Sequence, residues 1–243
     1  IRDRANTVPS QNLVDAFPMK TTGYPISDTQ NSAYDPENPY DGRDNRFYLN
    51  IYYQGAVYGK TGLPVDVVYG GKDSQFYDPF ASRSGYYLAK FLSKNEAMLD
   101  PLASTNAQHY YPIFRKAEVF LNYAEAANEA WGPKGKDPDG ICKFTAYQVI
   151  KTIRQTSGGI TDTKYLDEMA ASKESFRILI QNERRLELAF ENQRYYDMRR
   201  WLLPLNEAVK GVVVTKEGDD LIYTSQKVED RKFDGIRYYY SPL

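Results

Sequence analysis

The chain has 243 residues, 42% of them hydrophobic and 26% charged, and a formal net charge of −1. It can bury a core as one domain or two small ones, and its balanced charge excludes a chain-wide pull toward nucleic acid or anionic membrane. The single Cys142 excludes an intrachain disulfide framework and, with the lone His109, leaves little material for zinc. No apolar run is long enough to span a membrane. The chain opens at Ile1 without a signal peptide, which fits truncation or processing as readily as a cytoplasmic protein. Tyrosine is the outlier, with 22 residues. Its flat apolar ring and polar tip suit a wet binding surface as well as a core.

Residues 1–46 read as irregular structure with one short helix at 12–17, stopped by Pro18. From Thr21 to Asp44 the chain is rich in Gly, Pro, Asn, Asp and Ser, the composition of a long surface loop, and loops of that length are often functional. The acidic stretch 35–45 invites a calcium reading. It fails the EF-hand pattern, because taking Gly42 as the turn glycine puts Pro39 at a ligand position. No metal or other cofactor is expected. The β-prone run 47–53 predicts a strand.

Residues 54–84 then combine glycines and prolines with Tyr58, Tyr69, Phe76, Tyr77 and Phe80. Glycine lets backbone approach a ligand closely, and exposed ring faces stack on the C–H faces of sugars. The competing reading is that these rings plug the loop onto the body. The loop is taken as a candidate ligand-binding segment, with Tyr69 or Tyr77 as stacking residues, Tyr58 next, and Phe76 beside them.

Residues 112–131 predict an amphipathic helix that starts at Pro112 and ends at Gly132-Pro133. Ile113, Ala117, Phe120, Ala124, Ala127 and Trp131 line one face; Arg115, Glu118, Asn122, Glu125 and Glu129 line the other. Its expected partner is 143–157, where Ala146, Val149, Ile150 and Ile153 keep helical spacing before Gly158-Gly159. Such a pair resembles one tetratricopeptide-type unit, and a lone unit is unstable.

The run 172–203 predicts one central helix, with Ser172 as N-cap, Glu174 in the first turn and Pro204 as the stop. Phe176, Leu179, Ile180, Leu186, Phe190 and Trp201 share a side with Glu183, Glu187, Arg194 and Asp197. Charges on an apolar stripe must be paired, so these four predict a buried structural ionic network rather than acid–base chemistry. Removing Glu187 or Arg194 is expected to strip a buried partner. After Pro204 a hairpin is expected at 211–223, turning at Glu217-Gly218-Asp219, and the chain ends on the tyrosine-rich run 236–240.

The run NERRLELAFENQRYYDMRRW (182–201) resembles the signature of SusD/RagB-like proteins, the surface nutrient-binding lipoproteins of Gram-negative outer membranes. Segments 38–47 (NPYDGRDNRF), 84–92, 110–133 and 145–159 resemble other stretches of that family, in its order. Asn45 stands where the family usually has proline, and Ser157 where it has a second arginine. The resemblance implies a mainly α fold, with tetratricopeptide-like helix pairs packed against a loop-rich region bearing small β-hairpins. It implies that residues 1–243 are the C-terminal part of a SusD-like domain, with 110–203 as helical core and 54–84 as candidate ligand loop. A missing N-terminal half would carry the lipid-anchored cysteine.

The function implied is non-catalytic capture of an oligosaccharide, or less often a peptide, at the outer-membrane surface. The partner implied is a SusC-like TonB-dependent transporter that imports the ligand. Two readings from other classes stand beside it. One is a glycoside hydrolase, for which Glu183 and Glu187 are candidates by identity only; the other is a helical-repeat adaptor with no small ligand.

Overall fold

Ser172 accepts a hydrogen bond from Ser175 N at 3.0 Å and starts α6 (Lys173–Glu187), the helix on which both halves of the core converge. The structure, a computed structural model, describes residues 7–58, 62–92 and 110–233. His109 and the expected run 236–240 lie outside the described residues. Before α6 come α1 (Gln11–Val14), α2 (Asn45–Asn50), α3 (Lys116–Trp131), α4 (Ala146–Thr156) and α5 (Lys164–Met169); α7 (Gln193–Arg200) follows it. The strands form short antiparallel pairs: β1 (Ile51–Tyr52) with β4 (Tyr87–Leu88), β2 (Val57–Tyr58) with β3 (Leu63–Pro64), and β5 (Val209–Glu217) with β6 (Asp220–Glu229). The fold is mainly helical with small hairpins, as the resemblance implied.

One cluster, around Leu121, Ala124, Ala127, Ile150, Phe176 and Ile180, joins α3, α4 and α6. The small Ala124 and Ala127 let the helices approach closely. The other cluster gathers Phe17, Phe47, Ile51, Tyr86, Val212 and Val214 from the irregular region, and Leu186 of α6 reaches into it. α6 is therefore the wall between the helical and loop-rich halves. The start of α4 is defined by a capping box: Thr145 Oγ1 accepts from Gln148 N at 3.1 Å, and Gln148 Oε1 accepts from Thr145 N at 2.9 Å.

Three expectations change. The single helix over 172–203 is two helices, because Phe190 and Asn192 have φ of 64° and 62°, and a right-handed helix cannot pass through left-handed residues. The carbonyls freed at the break are satisfied from elsewhere in the chain. Arg115 donates to Glu187 O, and Lys90 donates to Ala189 O at 2.8 Å. The strand over 47–53 shrinks to Ile51–Tyr52, since Asp44 accepts from Arg46 N at 2.8 Å and caps α2 over the preceding residues. α3 starts at Lys116 rather than at Pro112, which leaves Ile113 outside it and 91% exposed; on the helix, Leu121 and Asn128 face inward with the two alanines, and Phe120 is exposed. The hairpin turns where expected, through Gly218-Asp219, with longer strands than the sequence suggested.

Thr145→Ala removes the capping box without touching the core, and should cost about 1 kcal/mol. In a chain of this size that is a fall in Tm of about 2–4 °C. An unchanged melting curve would show that α4 is held by packing alone.

Candidate functional site

Glu183 is fully buried on α6, and both of its oxygens are taken by guanidinium groups. One accepts from Arg154 Nη1 at 2.7 Å and the other from Arg46 Nη2 at 2.8 Å. Arg46 also grips Asp44 at 2.6 Å and reaches Glu187 at 3.4 Å. Burial opposes the charge on Arg46, but Glu183, Asp44 and Glu187 outweigh it and raise its pKa. Glu187 continues the chain of contacts to Arg115 at 2.9 Å, and Glu191 closes it by accepting from Arg115 at 2.8 Å and Lys90 at 2.6 Å. Asp44, Glu183, Glu187 and Glu191 thus face Arg46, Lys90, Arg115 and Arg154, four charges against four.

A second cluster ties Asp197 to Arg184 at 2.7 Å and to Arg200 at 2.9 Å, and Arg200 holds Glu125 of α3. Arg194 does not join either cluster. The break before α7 turns it away from the inward face of α6, and no carboxylate among the described residues makes an ion pair with it. Asp197 and Glu207 attract it only at longer range. The expectation of a network through Arg194 is corrected on that ground.

The loop after β3 is the second candidate. Tyr69, Phe76 and Tyr77 are 60%, 65% and 68% exposed. The rings of Tyr69 and Phe76 sit 4.2 Å apart at 35°, forming a small platform. Its backbone is braced: Tyr69 N donates to Val214 O at 2.7 Å, Asp73 and Asp66 exchange two bonds, and Tyr87 OH donates to Asp73 O at 2.7 Å. Below the platform lies a concavity of about 360 Å³, with Gln75, Arg83 and Gln226 among its polar groups beside Ser74 and Ser82. Such a site offers ring faces and hydrogen-bonding groups on a preformed frame.

Tyr58 does not belong to the platform. On β2 Val57 points out and Tyr58 points in, where it is 6% exposed and packs edge-on against Tyr52 at 4.9 Å. Its ring fixes the loop to the body, the outcome weighed against ligand contact in the sequence. A larger concavity, about 700 Å³, was not anticipated: Tyr34, Tyr40, Tyr86, Tyr165 and Tyr223 line it together with prolines of the 21–44 stretch. Tyr86 OH donates to Gln11 Oε1 at 2.6 Å, and burial raises the pKa of Tyr40 and Tyr86. The tyrosine count was the available signal, but nothing in the local pattern says that these rings converge.

The acidic stretch 35–45 serves local structure. Asp35 accepts from Glu37 N at 2.9 Å and Asn38 Nδ2 at 2.8 Å, while Asp44 is committed to Arg46. Among the described residues no three His, Cys, Asp or Glu side chains come together to hold a metal ion.

A model of the SusD family matches residues 4–242. A SusD-like protein of Formosa agariphila is 35% identical over 89 residues, 37% of this chain and 15% of that protein. A crystal structure of a SusD-like protein from Bacteroides fragilis superimposes with a TM-score of 0.73 and 28% identity, covering 96% of this chain and 43% of its own. A SusD-like carbohydrate binding protein of the same species gives 0.67 and 26%, covering 97% and 45%. The chain spans less than half the length of these relatives.

Glu183→Gln removes one of the three carboxylates on Arg46 and the carboxylate that pairs with Arg154 in a dry interior, and should destabilise by about 3–5 kcal/mol in a urea titration. An unchanged midpoint would remove the network from the fold's supports. Glu191 carries a pH signature. Burial would raise its pKa, but Arg115 and Lys90 hold it below the ordinary 4.5. Lys90 itself is lowered, since burial there outweighs its carboxylate partner. A depressed carboxylate contributes stability above the unfolded-state pKa and loses it as pH falls through the folded value. Denaturation midpoints should therefore drop on acidification below 4.5, and Glu191→Gln should flatten that drop.

Proposed function

The chain belongs to the SusD family, and from that premise we propose that it is a non-catalytic receptor capturing oligosaccharides at the outer-membrane surface. The partner proposed is a SusC-like TonB-dependent transporter, which takes the ligand onward. Residues 1–243 are read as the C-terminal part of a longer SusD-like domain, in line with relatives more than twice as long. No helix among the described residues is long and apolar enough to cross a membrane. The attachment proposed is a lipid on a part of the protein outside this chain.

One observation carries the glycan reading: the braced platform of Tyr69 and Phe76, with Tyr77 beside it, holding large apolar rings in water. Exposed rings cost solvation free energy unless something covers them, and a pyranose face is flat, apolar and edged by hydroxyls that Gln75, Arg83 and Gln226 can meet. Each stacking contact is worth about 1 kcal/mol beyond its buried area. Affinity is then modest, which suits a protein that must release its ligand to a transporter. The non-catalytic reading is supported by the burial of Glu183 and Glu187, whose oxygens are all engaged by arginines of the chain itself.

Tyr69→Ala and Tyr77→Ala, titrated calorimetrically against an oligosaccharide chosen from a glycan array, should each bind several-fold more weakly with an unchanged Tm. Tyr58→Ala should instead lower Tm, because its ring is part of the core. Two folded platform variants with full affinity would move the site, with the tyrosine-lined cleft as the next place to look. Prolonged incubation should leave the oligosaccharide intact; turnover lost in Glu183→Gln would favour the hydrolase.

A further inference from the structure

At the break between α6 and α7 lies a concavity of about 260 Å³ that shares no lining residue with the ionic network around Glu183. Arg185 from the last turn of α6, Arg194 from the first turn of α7 and Arg231 after β6 all line it. Glu207 is the one acidic residue of the lining, so the three arginines leave an excess of two positive charges. Glu207 is itself engaged, accepting from Asn12 Nδ2 at 2.9 Å. Arg185 donates one bond to Asn12 O at 2.7 Å, and Asp15, which attracts it from a distance, accepts from Gln11 Nε2 at 2.6 Å. None of the three guanidiniums makes an ion pair with a carboxylate among the described residues. Elsewhere on these helices Arg177 pairs with Glu129, and Arg184 and Arg200 both reach Asp197.

We propose that this three-arginine pocket is an oxyanion-binding site, taking a carboxylate or sulfate group. Planar guanidinium forks present paired donors that match both groups, and a concavity walled by apolar side chains strengthens their field. Pro9, Leu13, Ala189, Phe190 and Met198 supply such walls. Two features of the chain itself disfavour these positive charges. Arg194 stands at the positive end of the α7 dipole, where a cation is disfavoured. Burial, with Arg194 beside it, pushes the Arg185 guanidinium down to about 10. A bound anion would relieve both. The site stands on the pocket alone and does not depend on the platform or on the glycan reading; the anion can be a free ion or an acidic group carried by a sugar.

The test is thermal denaturation of the protein titrated with sodium sulfate, against sodium chloride at matched ionic strength. Wild type should show a saturable rise in Tm with sulfate that chloride does not give. Arg194→Gln and Arg231→Gln should each weaken the sulfate response about tenfold, the loss of one charge-assisted bond. Without added anion, Arg194→Gln should keep or raise Tm, since it removes a cation with no ion-pair partner among the described residues. Galacturonate compared with galactose then separates the sources: a response to galacturonate alone of the two assigns a sugar acid, and a response to sulfate only assigns a free ion or sulfate ester. Equal sulfate responses in wild type and both variants would be a general salt effect and would overturn the proposal. So would a Tm that falls by several degrees in Arg194→Gln without added anion, because a carboxylate of the chain itself would then already fill the pocket.

Discussion

The whole arrangement depends on one fully buried carboxylate, Glu183, held between Arg46 and Arg154. Taking such charges out of water is costly, and the attraction between them offsets that cost only when the geometry is good and every donor is used. Here the groups come from α2, α4 and α6; Arg154 spends another donor on Gly23 O at 2.8 Å, and only its buried Nε has no partner within this network. Gly23 has φ of 72°, and a Cβ there would meet the Arg154 guanidinium at 2.4 Å, so the loop can approach only as glycine. An apolar trio can pack as tightly, but would not say which loop belongs against which helix. The ionic network supplies that address, and it positions the irregular half on the helical half.

Much of this frame was legible in the chain. Thr145 three residues before Gln148, Ser172 before an acidic turn, and apolar spacing over 146–153 are local signals for local structure. Glu183, Glu187 and Asp197 on an apolar stripe announced buried pairing because burial leaves a charge few alternatives. What could not be read was anything decided by distant residues. Phe190 and Asn192 look helical in sequence, and the left-handed break they make is supported by Lys90 and Arg115, which come from distant segments to take its carbonyls. Arg194 was misplaced for that same reason. Tyr58 and Tyr69 have similar neighbourhoods in sequence, and only strand pairing and the edge of β5 decide which ring turns inward.

The loop that bears the platform looks irregular yet is heavily constrained. Asp66, Asp73, Ser74 and Tyr87 bind its backbone from within, and β5 holds it from outside. A loop of this kind combines exposed rings with low residual freedom, so a ligand meets groups already ordered. The same glycines and aromatics in a loose segment would lose on ordering much of what stacking contributes.

The β5–β6 hairpin joins these features. Val212 lines both the tyrosine cleft and the concavity under the platform, and Val209 lines the arginine pocket. Lys210 N donates to Asn12 Oδ1 at 2.8 Å on one side, and Val212 N donates to Ser84 O at 2.9 Å on the other. That second approach is close enough that a Cβ on Gly85 would lie 2.5 Å from Val212 O, and one on Gly211 2.7 Å from Ser84 Cα. The hairpin is consequently clamped at α1 and at the end of the aromatic loop. Three concavities of different chemistry share one rigid wall, so their relative positions are set by backbone contacts rather than by the side chains that would touch a ligand. Substitution within any one of them can change its lining while leaving the frame of the other two in place.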